Sequence, residues 1–198
     1  MYLKNDNMLI TCIIIASVIG ILLLTSSRPP SGWKESTVKA GRHDFDFDAF
    51  TGYRRSGKIR VHGRFTECST YSLCCGDQMD WNKAPGLMTS LHPHVSSALV
   101  GWRWNGDRQQ FEFSYYVHNA DTSTQHMGGG AAMRVGINAP WWYEIEDKGQ
   151  DWLYTFSNGN SYRLPKAKTK GRYKISGWWF GGNQAAPNDV SVHWFIER

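Results

Sequence analysis

The chain has 198 residues, of which 20 are glycine, 10 are tryptophan and 14% are aromatic. This composition of tight turns and large rings fits one β-rich domain with an appendage, and it excludes a disordered chain or a coiled coil. Lys and Arg number 22 against 17 Asp and Glu, a formal charge of +5. That excess favours anionic partners without choosing among acidic polysaccharide, nucleic acid and lipid headgroups.

Residues 8–24 read MLITCIIIASVIGILLL, with no charge. Extended to Ser27, the segment is long enough, as a helix rising ~1.5 Å per residue, to cross a ~30 Å hydrocarbon core. Residues 1–27 are therefore expected to be a signal anchor, or a signal peptide cut near Ser27, where Thr25 and Ser27 are small enough for the cleavage site. The membrane is an expected partner through residues 8–27. Arg28, Lys34, Lys39 and Arg42 follow closely and would hold the remainder in the cytoplasm. The short N-terminal tail and the aromatic character of the rest point instead to export, either anchored or secreted.

Residues 28–56 read as a linker and first strand region, opening on Pro29-Pro30-Ser31-Gly32, and residues 57–198 as the main domain. Asp44, Asp46 and Asp48 alternate but lack the glycine and distal glutamate of a calcium loop. In residues 58–65, Ile59, Val61 and Phe65 fall on one face and Lys58, Arg60, His62 and Arg64 on the other, the period of a half-buried strand. The basic face suits either a polyanion or plain solvent. Cys68, Cys74 and Cys75 allow one disulfide, Cys68 to Cys74 or Cys75. His92-Pro93-His94 has no third ligand beside it, so no metal or cofactor is expected.

Further strands are expected near 97–104, 110–118, 131–137, 141–147, 151–157, 160–164, 173–180 and 189–196. They are separated by turn chemistry such as Asn105-Gly106, Asp147-Lys148-Gly149 and Asn158-Gly159-Asn160. Many short strands with no helical period make an all-β sandwich or barrel. Phe111, Phe113, Val190, Val192 and Trp194 are its expected core. Trp141-Trp142 and Trp178-Trp179 are adjacent pairs, and neighbours in a strand face opposite ways. One of each pair is expected inside; Trp142 and Trp179 are the candidates for stacking on sugar.

Lys83-Ala84-Pro85-Gly86-Leu87 is followed by Ser97-Ala98-Leu99-Val100-Gly101-Trp102-Arg103-Trp104-Asn105-Gly106. Then come the alternating Glu112, Ser114, Tyr116 and His118, and near the end Phe180-Gly181-Gly182 with Ala186-Pro187 and Asp189. This order, over roughly residues 58–197, resembles the jelly-roll polysaccharide lyases of the alginate and glucuronan type. It is closer still to short exported bacterial proteins of that kind. The resemblance implies a concanavalin-like jelly roll of two antiparallel sheets, preceded by the N-terminal hydrophobic helix, with an acidic polysaccharide lying across one sheet. Lyase chemistry needs a base for the C5 proton, a donor that neutralises the carboxylate, and an acid for the leaving oxygen.

By the resemblance, Lys83 in the Pro-Gly-Leu turn, Tyr116 and His118 would be catalytic in an active lyase, with Ser97, Arg103, Glu112 and Ser114 lining the substrate. A one-residue shift would put Tyr115 in place of Tyr116. The family's arginine in the Ser-x-Arg strand is Leu99 here, and leucine cannot neutralise a carboxylate. Arg103 lies two positions further along the same face. The reading is a carbohydrate-binding protein with a degenerate lyase-like cleft, taking an acidic polysaccharide or cell-surface glycan. Its rivals are an active lyase and a structural or host-adsorption protein of a virus particle or cell envelope. Nucleic acid is not the expected partner.

Overall fold

The computed structural model describes residues 31–46, 50–54, 56–90, 95–119, 122–125, 130–167 and 172–197. The expected apolar helix, Asp48 and the His92-Pro93-His94 segment lie outside the described residues. From Gly32 onward the chain is one compact unit, built of strands in two antiparallel sheets.

The first sheet has six strands. In spatial order they are β1 (Lys34–Val38), β13 (Val190–Ile196), β3 (Lys58–Phe65), β9 (Pro140–Asp147), β10 (Asp151–Phe156) and β11 (Ser161–Pro165). The second runs β2 (Phe50–Arg54), β12 (Tyr173–Ser176), β4 (Asn82–Met88), β5 (Ser96–Asn105), β6 (Gln110–Asn119) and β7 (Thr122–Gln125). β8 (Met133–Val135) pairs with the other end of β6. Apart from short 3-10 turns at Glu67–Ser69 and Cys75–Met79, the described residues carry no helix.

The alternation within each strand decides which side chains meet between the sheets. Ile59, Val61 and Phe65 of β3, Phe111 and Phe113 of β6, and Val190, Val192 and Trp194 of β13 are all buried. Phe65 is the hub. Its ring centroid lies 4.1 Å from Phe111, 5.0 Å from Trp102, 5.3 Å from Trp141 and 5.6 Å from Phe113. Trp141 and Trp178 enter this core, while Trp142 and Trp179 face outward. The core is closed by aromatic rings at stacked, tilted and edge-on angles, which bury large areas with few rotatable bonds.

Two expectations change, and a third gains detail. Lys83-Ala84-Pro85-Gly86-Leu87 is not a turn but lies in β4, a central strand between β12 and β5. A bulge between Ala84 and Leu87 makes this feasible. Proline cannot donate to the ladder, but the Pro85 carbonyl accepts the Tyr143 hydroxyl of the opposite sheet at 2.7 Å. Gly86 lies so close to β5 that a β-carbon there would stand 2.1 Å from the Ala98 carbonyl oxygen. The linker and first strand region holds two strands, β1 and β2, each hydrogen-bonded into a sheet. Cys68 is a free, exposed thiol, so the expected disulfide from Cys68 to Cys74 or Cys75 does not form.

Candidate functional site

The outer face of the second sheet gathers most of the residues singled out in the sequence. Register aligns Lys83 with Gly101 and Gly101 with Ser114. The next rows along the strands pair Leu99 with Tyr116 and Ser97 with His118, and in the other direction Arg103 with Glu112 and then Arg134. Trp179 extends the first row. It exchanges both backbone hydrogen bonds with Lys83, at 2.8 and 2.9 Å, and so presents its side chain on the same face. Asp44 bridges Trp179 in turn. Lys83, Ser97, Arg103, Glu112, Ser114, Tyr116, His118 and Trp179 therefore share one face, and Leu99 sits among them rather than in the inter-sheet core. Tyr115 points the other way, packing on Tyr162 at 5.2 Å and Tyr154 at 6.1 Å between the sheets.

Two of these residues are committed to each other. The Arg103 Nε and Nη2 donate to Glu112 Oε2 at 2.9 and 2.7 Å, while Arg134 Nε and Asn105 Nδ2 donate to Oε1 at 3.1 and 3.3 Å. Glu112 is nearly sealed from solvent, with its side chain 3% exposed. Burial alone would raise its carboxyl, but the hydrogen bonds from Arg103 and Arg134 outweigh burial and hold it below the usual carboxylate range. Arg103 also donates Nη1 to the Met79 carbonyl at 2.7 Å. Its fork is thus engaged by the protein's own acceptors.

Trp81 was not anticipated. Its indole lies over Gly101, where a β-carbon would come 3.2 Å from the ring, and the Arg103 guanidinium stacks on it at 4.1 Å. A glycine within an otherwise bulky strand, Val100-Gly101-Trp102, was the available signal of a close approach.

Lys83 has a different environment. Its Nζ donates to the Trp81 carbonyl at 2.7 Å and lies 4.9 Å from the Tyr116 ring centre. Burial strips water from the ammonium and lowers its pKa, partly offset by the field of Asp80. Among the described residues no carboxylate stands within ion-pair distance of it. The Tyr116 and His118 rings are 5.1 Å apart. The Ser97 and Ser114 hydroxyls are buried with no hydrogen-bond partner among the described residues. Trp179 is 43% exposed, with one face stacked on His43 at 5.6 Å and 14°. The His43 Nδ1 bonds the Phe180 carbonyl at 2.8 Å, which fixes the imidazole beneath the indole.

Trp142 does not join this group. It lies on the outer face of the first sheet under the Arg60 guanidinium, 4.8 Å away. Three members of the basic stripe expected there, Lys58, Arg60 and His62, are internally paired. Glu144 takes Lys58 and Arg60, and Glu197 takes Arg60 and His62. No group of metal-ligating side chains occurs among the described residues. A separate cavity of about 620 Å³, lined by Tyr71, Trp104, Asn188 and others, holds none of the predicted site residues.

No family model and no curated protein matches this sequence. Solved structures do. The chain is 10% identical to LamAcat from Zobellia galactanivorans, with a TM-score of 0.51, covering 84% of this chain and 76% of that one. A structure reported with endo-acting O-glycanases of the human gut microbiota that initiate mucin breakdown gives 11% identity and a TM-score of 0.51, over 84% and 78%. A polysaccharide lyase of family 18, aly-SJ02, gives 10% identity and 0.43, over 71% and 70%. At these identities the likeness to the first two is one of fold alone: a jelly-roll β-sandwich of two antiparallel sheets.

Proposed function

We propose that the outer face of the second sheet binds an acidic glycan and that its lyase-like cleft no longer carries out elimination. The observation that carries this reading is the fate of the cations. Leu99 stands where the resemblance requires an arginine, and Arg103 is spent on Glu112. An enolate-like intermediate therefore lacks the second donor that elimination requires. Binding needs less. A half-exposed indole at Trp179 offers a stacking surface, the Lys83 ammonium offers a charge for a carboxylate, and Tyr116 adds a second ring.

An active lyase is the second reading, and one feature favours it. Burial lowers the Lys83 pKa and so makes the amine easier to reach, with Tyr116 alongside as an acid. A single experiment separates the two. The full chain is incubated with polymannuronate and polyglucuronate, with retention on the immobilised polymer and ultraviolet absorbance of unsaturated ends followed together. Retention without absorbance supports the binding reading. Absorbance that disappears in Lys83→Ala establishes the lyase, and neither signal sinks both.

The setting proposed for this activity is outside the cell, and it is supported by the apolar run of residues 8–24. Mass spectrometry of the mature chain distinguishes an anchor, which retains Met1, from a leader cleaved near Ser27.

A further inference from the structure

We infer that this face reads the acidic end of a glycan chain and not a stretch of its interior, an inference that rests on the glycan-binding reading above. A polymer that crosses the sheet along the line of Lys83 passes over the row Trp179, Lys83, Gly101 and Ser114. With strands ~4.8 Å apart, that row is roughly 14 Å long, enough for several sugar rings. Its third position is filled. The Trp81 indole occupies the space above Gly101 and is fixed from two sides. Arg103 stacks on it at 4.1 Å and is itself held by Glu112 and by the Met79 carbonyl. Lys83 Nζ meanwhile holds the Trp81 carbonyl at 2.7 Å. Swinging this cover aside gives up its stack on a guanidinium that the buried Glu112 holds in place, which favours the covered position.

The opposite end of the row carries an ion pair. Beyond Trp179 the next side chain is Asp44, exposed and paired with Arg42 at 3.3 Å. The hydroxyls of a terminal ring find an acceptor in Asp44 and a donor in Arg42 there. Between Asp44 and Trp81 there remains one aromatic platform with one ammonium beside it. A terminal uronic acid fits this space. Its ring stacks on the face of Trp179 turned away from His43, its carboxylate meets Lys83, and the rest of the chain leaves the sheet. The ligand class is therefore a glycan with an anionic terminal sugar.

The test uses the full chain and polymannuronate fractions of increasing length at equal molar concentration, with stoichiometry read by sedimentation and calorimetry. The expected result is a constant number of protein molecules per polymer chain, so that capacity per unit mass falls as the chain lengthens. Free mannuronate should compete. In Trp81→Ala the cover is gone, and the number bound per chain should rise several-fold from the shortest to the longest fraction. Binding to the unaltered protein that grows with chain length overturns the end-reading and leaves glycan binding standing. No binding at any length overturns both. The length dependence of the unaltered protein decides the matter even if Trp81→Ala fails to fold.

Discussion

The two outer faces of the sandwich carry similar residues and use them differently. On the first sheet, Lys58, Arg60 and His62 meet Glu144 and Glu197, and the rings of Trp142 and Phe195 lie against Arg60 and His62. Charges and rings there satisfy one another in half-exposed pairs. On the second sheet the pairing is concentrated at one end, in the Trp81, Arg103, Glu112 and Arg134 cluster, and Lys83 stands beside an exposed Trp179. A basic stripe in a sequence is thus no measure of available charge. What matters is whether the strand register sets a carboxylate opposite each cation.

The strongest way to break this contrast is to remove its buried carboxylate. Glu112→Ala leaves Arg103 and Arg134 without their acceptor in a nearly sealed site and is expected to cost about 3–5 kcal/mol in urea unfolding. Glu197→Ala, on the exposed face, should leave unfolding unchanged within error. Equal costs would show that the two faces are not built differently.

The buried carboxylate also leaves a mark on the pH dependence. The Glu112 carboxyl is held below the usual range in the fold. Its stabilising contribution is therefore complete above the pH at which an unfolded glutamate ionises, and it is lost as pH falls through the lower folded value. Acid titration of stability should show this loss in the unaltered protein, and the loss should be weakened in Glu112→Gln.

Glycan affinity probes the aromatic members. Trp179→Ala should lower affinity by about tenfold, the effect of losing on the order of 1.4 kcal/mol of stacking, while Trp142→Ala should not change it. A larger loss at Trp142 would move the site to the other sheet.

Lys83 should give the smallest effect and the sharpest diagnosis. Added salt should weaken binding through screening of its charge. Because burial lowers its pKa, binding should also fall as pH rises, beginning below the range in which an ordinary lysine loses its proton. Lys83→Met should remove both dependences; their survival would assign the charge to another residue.

Much of this face was legible along the chain. Strict alternation in β6 placed Glu112, Ser114, Tyr116 and His118 together and sent Phe111 and Phe113 inward, because successive side chains on a pleated strand must point to opposite sides. The same rule divided each tryptophan pair. Alternation did not say which sheet a strand joins, and so Trp142 was grouped with residues that lie on the other side of the sandwich. Nor did it show Pro85 and Gly86 as a bulge, since a turn and a bulge use the same residues. What the sequence by itself determined was the local periodicity: an all-β chain, an aromatic core and the outward set on each strand. What only the tertiary structure decided was which of those outward groups are spent. Arg103 is consumed by Glu112 on the neighbouring strand, Trp81 is drawn over Gly101, and Lys83 is left beside Trp179, nearly a hundred residues away in sequence. Such pairings follow from strand register between distant segments, which no local pattern of side chains encodes.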